Sequence, residues 1–569
     1  MSVDLYSLWV RRSRPSRRAL SAQRQWSRTH TKTLSLITFV AAPAGWPDAR
    51  TTKSVLRQSY PNWEWILVAT EDAFTHAGAE IDRLRRDTRV RILTVPSHST
   101  SARAWNAGWR VASGEFAALV GEHDVLSPEA LYEMAVAMER APDVDLFYSD
   151  EDRISTRGSR RHDPHFKPDW SPDLLLTHYY IGRLTMIRRD AAAAVGGFRD
   201  GYGGAEEWDL CLRLSRQTSR IQRVPRCLYH RDATNRPLGV AQEEAAIRDH
   251  CGQLGHSVEV SRSASGYRVV WPLQQQPLVS IVIPNRNAAE VLTQCVNGLL
   301  DGTSYAHREL VIVDNGSTDP AVLELYRSLE RADRGVIVPF DRRPFNFSAA
   351  CNAGAARARG DLLLFLNNDI EIVDPEWLGE LVGWAQLPGV GIVGAKLLYP
   401  DRTIQHAGVV FGLGLIGHIF SRAPEGTSGL FDSSDCSRNY LGVTGACQMM
   451  RRAVFSELGG FDERFRLAFS DIVLCMEAWK AGYRVVYTPH ARLVHHESYT
   501  RKQDGWPEDL ELLVRYLENN GFVEDPYFHP ELNPLSPVPE VRPPFAPTPR
   551  QAVRDYVDLV LTAAAAAGR

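Results

Sequence analysis

The stretch Gly360–Asp374, GDLLLFLNNDIEIVD, decides how the chain is read. Leu362–Leu366 is an apolar run with the length and composition of a strand buried on both faces of a parallel sheet. It breaks off at Asn367-Asn368-Asp369, which puts amide and carboxylate groups where such a strand meets solvent. In open α/β sheets ligands collect at the carboxyl ends of strands, near the point where strand order reverses. Oxygen ligands at such a tip can hold a hard divalent cation against a diphosphate. A buried strand with a polar C-terminal turn has the same letters, so the stretch needs a second witness.

That witness lies in the same chain. Leu34–Phe39 (LSLITF) answers Val279–Ile283 (VSIVI), and Trp65–Val68 (WILV) answers Leu310–Val313 (LVIV). Asn106-Ala107-Gly108 followed by SGEFAALVGEHD, ending at Asp124, answers Asn352-Ala353-Gly354 followed by RGDLLLFLNND, ending at Asp369. MIRRDAAAAVGGFRD (Met186–Asp200) answers MMRRAVFSELGGFDE (Met449–Glu463), and EEWDLCLRL (Glu206–Leu214) answers SDIVLCMEA (Ser470–Ala478). Tyr229-His230 answers Val494-His495. The offset grows from about 245 to about 264 residues, which one insertion explains. Each copy alternates short β-branched runs with helical stretches, the pattern of βαβ units on a mostly parallel sheet. The expected organisation is an α/β domain over 31–270, a second over 276–530, and a linker at Gln274-Gln275-Gln276-Pro277.

Residues 1–30 carry Arg11, Arg12, Arg14, Arg17, Arg18, Arg24 and Arg28 and have no apolar core of a secretory signal. They are expected to be a disordered basic segment, with peripheral contact to an anionic membrane surface as the other reading. Residues 531–569, rich in proline, are expected to be extended and mobile, with a final helix near 550–566. A net charge of −3 over 569 residues gives no case for nucleic acid. The eight cysteines form no C-x-x-C pair or zinc spacing and are expected to be buried hydrophobes in a reducing, cytoplasmic setting.

In the second copy Val279–Pro284 reads as the first strand, with Asn285, Arg286 and Asn287 in the loop beyond. Leu310–Val313 reads as the second, ending in DNGSTD from Asp314. A carboxylate there can accept from a ribose hydroxyl or a base N–H, or the turn can be a plain strand–helix link with a capping side chain. Taken together, VSIVIP, LVIVDNGSTDP, NAGAARARGDLLLFLNNDIE, VGAKLLYPDRTIQHAGVV, VTGACQMMRRAVFSELGGFDE, AFSDIVLC and LVHHES resemble bacterial glycosyltransferase family 2, of GT-A fold. The likeness is narrower to its members associated with O-antigen, rhamnan and other surface polysaccharides. It covers most of 279–530, and the first copy is similar over 34–230.

The resemblance implies two tandem Rossmann-like GT-A domains with flexible tails. It also implies a metal-dependent, inverting transfer from a nucleotide-sugar donor to a hydroxyl of a glycan or lipid-linked glycan acceptor, with Mg2+ or Mn2+. Pro284, Asn287, Asp314, Asn352 and Asn367 would contact the nucleotide sugar. Asp369, with His495 or His496, would hold the metal, and Asp471 would be the catalytic base. Asn367 and Ser470 depart from the acidic residues of the family's D-x-D and E-D motifs. The 396–445 block, with His406 and His418, would form a partly mobile lid, and Asn439, Tyr440 and Trp479 would be sugar contacts.

The first copy departs further. Ala69 stands where the second has Asp314, and the first strand runs into Ala41-Ala42-Pro43. Glu122 and Asp124 keep an acidic tip, Glu207 takes the place of the base, and His230 is retained. The expectation is a degenerate first domain and a catalytic second one. A two-site polymerase with both copies active, or a non-catalytic glycan-binding scaffold, remain as alternatives. A sugar nucleotidyltransferase would need a Gly-rich basic loop after the first strand, and Pro-Asn-Arg-Asn does not supply one.

Overall fold

In the computed structural model the chain forms two compact units, Met1–Arg262 and Ser263–Arg569. The described residues are 4–41, 45–75, 79–155, 160–232, 239–273, 275–429, 432–496 and 507–566. Gln274 of the expected linker, Ala42 and Pro43, residues 430–431 of the 396–445 block, and Glu497 and Ser498 of LVHHES lie outside them. The division between units falls before the expected linker because Trp271 is buried in the second unit, edge-on to Trp384 at 5.4 Å.

Each unit is built on one mixed sheet, and the two sheets share a strand order. Across the second sheet it is Gly335–Pro339, Arg308–Asp314, Val279–Asn285, Leu362–Leu366, Cys447–Arg451, Val390–Leu398, Arg484–His495, Ile370–Ile372. Across the first it is Val90–Val95, Trp63–Thr70, Leu34–Val40, Phe116–Leu119, Thr185–Arg188, Leu146–Ile154, Ile221–Asp232, Val125–Leu126. The first four strands of each run parallel and the fifth is antiparallel. This is the tandem Rossmann-like arrangement expected. Order reverses at Val279–Asn285, flanked by Arg308–Asp314 and Leu362–Leu366, so the tips of these three strands frame a crevice. Register sets Asn285 beside Asp314 and Val40 beside Ala69, the pairing that the repeat suggests.

The Leu362–Leu366 strand is buried throughout, each side chain contributing about 1.5–3 kcal/mol by leaving water. The Phe347–Arg357 helix, capped by Asn346, lies across the first strand. A Cβ on Gly354 would come within 2.4 Å of Val282 and 2.8 Å of Val313, and one on Gly108 within 2.7 Å of Ile37. The glycine of each Asn-Ala-Gly is therefore a point of close helix–strand approach. Its asparagine is a clamp. Asn352 donates to Phe461 O at 2.9 Å and accepts from Phe461 N at 3.0 Å, and Asn106 does the same with Phe198 at 2.7 and 3.0 Å. Asn352, expected at the nucleotide, instead holds the Gly-Gly-Phe loop.

Both ends of the chain differ from the disorder expected of them. Leu5–Ser13 and Arg17–Trp26 are helices, capped by the side chains of Asp4 and Ser16. Tyr6, Trp9 and Val10 recur at helical spacing on one face and are buried; Trp9 meets Phe166 edge-on at 5.3 Å and Tyr6 donates to Asp152. The seven arginines all face solvent. In the proline-rich segment Leu532, Val541 and Ala546 are buried, and the expected last helix spans Pro549–Ala566. Proline lacks an N–H but keeps its carbonyl, and two such carbonyls fix the 396–445 block. Gly414 N donates to Pro534 O at 3.2 Å and Phe420 N to Pro537 O at 2.7 Å. The segment is thus a strap over the block that was expected to form a partly mobile lid. Asn439 and Tyr440, expected as sugar contacts, are buried in the interior, and Trp479 leans on Phe522 at 5.9 Å.

Replacing Gly354 with Ala tests the close approach. The clash should outweigh the roughly 1 kcal/mol that Ala gains over Gly in a helix, lowering stability by about 1–2 kcal/mol net in urea denaturation. Gly252→Ala, in a helix with nothing within 4 Å of the added carbon, should lose nothing.

Candidate active site

The tips of the second sheet open into a cleft of about 790 Å3. Pro284, Asn367, Asn368, Asp369, Asp471 and His495 all line it. Pairing of Ile370 with His495 brings the strand after Asp369 against the end of the long Arg484–His495 strand. His495 Nε2 lies 3.1 Å from Asp369 Oδ1 and 3.1 Å from Asn367 Nδ2. On its other edge His495 Nδ1 meets Gln405 Oε1 at 2.6 Å. The Gln405 oxygen only accepts and the Asn367 amide nitrogen only donates, so Nδ1 carries the proton and Nε2 accepts from Asn367 with Asp369 beside it. An imidazole nitrogen and a carboxylate oxygen this close suit a shared cation. His496 turns away, its Nε2 on Glu371 at 3.0 Å and its N–H on Asp369 O.

Asp471 stands in the first turn of the Ser470–Lys480 helix, half-buried at the cleft wall. Its Oδ2 accepts from Gly445 N at 2.6 Å and its Oδ1 from Ile472 N at 2.9 Å. Burial pushes its carboxyl above the usual range, against the opposing pull of these two amides. A carboxylate oriented by two N–H groups and raised in basicity is suited to take a proton from an alcohol.

The nucleotide corner is arranged differently from the sequence expectation. Asp314 accepts from Ser317 N at 3.1 Å and from Tyr326 OH at 3.1 Å. Asn287, at φ 53°, accepts from Thr318 N at 2.8 Å and Asp319 N at 3.0 Å. Both side chains build the Gly-Ser turn, while Asn285, Arg286 and Asn315 face the cleft. Gln405, which meets His495 Nδ1, and Asn315 both lie in family-like stretches but were passed over, because a lone amide beside charged or ring side chains gives no distinctive signal.

The first unit joins two of its corresponding residues, Asp124 and Glu207, through Arg183. Arg183 Nε donates to both oxygens of Glu207, at 3.1 and 3.0 Å, and its Nη1 reaches Asp124 Oδ2 at 3.5 Å. Asp124 also accepts from Tyr229 OH at 2.6 Å and Asp232 N at 2.9 Å. By the Met186/Met449 repeat, Arg183 stands where the second unit has Ala446, which lines the open cleft. Glu122 is buried, with its carbonyl accepting from Asp48 N and Thr51 Oγ1.

His230 lies apart from Asp124's hydrogen bonds, between Asp152 Oδ1 at 2.6 Å and Ser127 Oγ at 2.9 Å. Asp152, Cys227 and His230 are the one group of three His, Cys or acidic residues among the described residues close enough to share an ion. Both ring nitrogens of His230 are engaged, Asp152 also accepts from Arg161 and Tyr6, and burial pushes the Cys227 thiol up. These bonds fit a closed polar network better than a metal site.

The family model described as Glycosyl transferase family 2 matches residues 49–196 and 280–459, one stretch in each unit. The chain is 41% identical over 549 residues to the O-antigen biosynthesis protein RfbC of Myxococcus xanthus, covering 93% of this chain and 43% of that protein. It is 39% identical over 508 residues to the uncharacterized protein y4gI of Sinorhizobium fredii, covering 84% of this chain and 55% of that one. It is 25% identical over 210 residues to the N-acetylglucosaminyl-diphospho-decaprenol L-rhamnosyltransferase of Mycobacterium tuberculosis, covering 34% and 68%. The chain spans about half the length of the first two relatives.

Removing the guanidinium strands two acidic side chains. Arg183→Ala should lower the stability of the first unit by about 3–5 kcal/mol, read as a fall in its urea midpoint, because one partner of a largely buried ion pair is lost.

Proposed function

The chain belongs to glycosyl transferase family 2, and from that premise we propose that its second unit transfers a sugar from a nucleotide-diphosphate donor to a hydroxyl of a cell-surface glycan or lipid-linked acceptor. One observation carries this reading: Asp369 with His495, and Asp471, line one cleft at the switch point of the sheet.

The donor set at Asp369 Oδ1 and His495 Nε2 suits Mg2+ or Mn2+, with Asn367 beside them. Such an ion supplies Lewis-acid stabilisation of the departing diphosphate. The protein supplies the rest. Pro284, Asn285 and Arg286 border the donor at the strand tips, and Asn315 accepts from Arg343 Nη1 at 2.7 Å, bringing a second guanidinium to that rim. Asp471 takes the acceptor's hydroxyl proton as that oxygen attacks the anomeric carbon from the face opposite the leaving group, which inverts the centre. The Gly445 and Ile472 amides keep the carboxylate aimed during the transfer.

The first unit, in this reading, performs no transfer. Arg183 already engages Glu207, at the base position, and Asp124, at the acidic tip, which tells against a two-site polymerase. The sequence relation to an O-antigen protein and to a rhamnosyltransferase favours a deoxyhexose or hexose donor and a lipid-linked surface glycan. No helix among the described residues is long and apolar enough to cross a membrane. We place the protein at the cytoplasmic face, where the exposed arginines of the two N-terminal helices suit an anionic lipid surface.

Purified protein with Mn2+ and a panel of UDP-, GDP- and dTDP-sugars should release nucleoside diphosphate from one donor class. Asp471→Asn should lower kcat about 10²–10⁴-fold with little change in Tm. No release from any donor, with acceptor glycans supplied, would sink the proposal. Because Asp471 works as the anion, kcat/KM should fall as pH drops through its pKa, and burial places that acid limb above the ordinary carboxylate value of 3.8. An acid limb at or below that value contradicts the assignment.

A further inference from the structure

We propose that His418 forms a subsite for the acceptor sugar, donating from Nε2–H to a hydroxyl oxygen beside Asp471, with buried His406 fixing its tautomer. The inference rests on the glycosyltransferase reading above and adds a substrate contact to it.

His406 ends the Ile404–His406 strand and is fully buried, whereas His418 ends the Ile416–His418 strand and lines the cleft. Their Nδ1 atoms are 3.1 Å apart, so one carries a proton and the other accepts it. Thr444 N donates to His406 Nε2 at 3.4 Å, which makes that nitrogen an acceptor. A neutral His406 therefore keeps its proton on Nδ1 and gives it to His418 Nδ1. Its neutrality follows from the site, since burial and the neighbouring His418 both hold it well below its ordinary range. With Nδ1 of His418 accepting, the neutral ring keeps its own proton on Nε2, the edge turned from His406.

The same turn serves the base. Gly445, next after Thr444, donates its N–H to Asp471 Oδ2. Consecutive peptide groups thus orient the carboxylate and, through His406, the tautomer of His418. An acceptor hydroxyl needs a group to take its proton and a donor to hold its oxygen. Asp471 and His418 offer those two complementary functions in one cleft. The hydroxyl proton passes to Asp471, the oxygen forms the new bond to the anomeric carbon, the bond to the diphosphate breaks, and His418 keeps its proton throughout.

Two measurements test the subsite. Nitrogen NMR of the histidine-labelled full chain, assigned with His406→Gln and His418→Gln, should show His406 protonated on Nδ1 and His418 on Nε2. The opposite tautomer at His418 overturns the proposal whatever the activity. With the active donor and the best acceptor from a panel of methyl pyranosides, His418→Phe should raise the acceptor KM about tenfold, the effect of one lost hydrogen bond. Donor KM should rise far less than acceptor KM, and His418→Gln, which keeps an N–H donor, should recover most of the loss. An unchanged acceptor KM, or an equal rise in donor KM, overturns the subsite while leaving the transferase reading intact. A wild-type protein silent with every donor removes both, so the two failures are distinct.

Discussion

A carboxylate withdrawn from water needs positive charge beside it, and the two units meet that need in different ways. An unpaired ionised group in a protein interior costs several kcal/mol. In the first unit Arg183 reaches from Glu207 to Asp124 and pairs with both. In the second, Ala446 at the matching position lines an open cleft, and Asp369 lies 3.1 Å from a histidine whose other nitrogen is held by Gln405. On the proposed reading a divalent ion held by Asp369 and His495 brings positive charge against the donor's phosphates.

The repeat shows which features belong to the scaffold and which to the chemistry. Strand order, the close glycine contact at Gly108 and Gly354, and the asparagine clamp at Asn106 and Asn352 occur in both units. The strand tips and their surroundings do not repeat. Ala69 replaces Asp314, Arg183 replaces Ala446, and Tyr229 rather than a histidine meets the acidic tip of the first unit. A fold can keep its core and change its function through a few side chains at one end of the sheet.

Much of the fold was legible. The Leu362–Leu366 run and its partners are strands because buried parallel strands have a plain apolar signature, and the internal repeat fixed their correspondence. Asp369, Asp471 and His495 line one cleft because each ends a strand or starts a helix at the sheet's carboxyl edge. Other side chains could not be read because spacing does not reveal direction. Asp314 and Asn287 turn back on their own loop, and Asn352 faces another loop. The terminal segments looked disordered by composition, yet Tyr6, Trp9, Leu532 and Val541 find apolar surface that only the folded units provide. Backbone carbonyls of prolines, invisible to a composition count, supply the hydrogen bonds of the C-terminal strap.

The most direct test counts bound metal. Titration of Mn2+ into the full chain, with free Mn2+ followed by electron paramagnetic resonance, should reveal one site per chain. That site should vanish in Asp369→Ala and persist in Asp124→Ala. Two sites per chain, or a single site that survives Asp369→Ala and is lost with Asp124→Ala, would contradict the account.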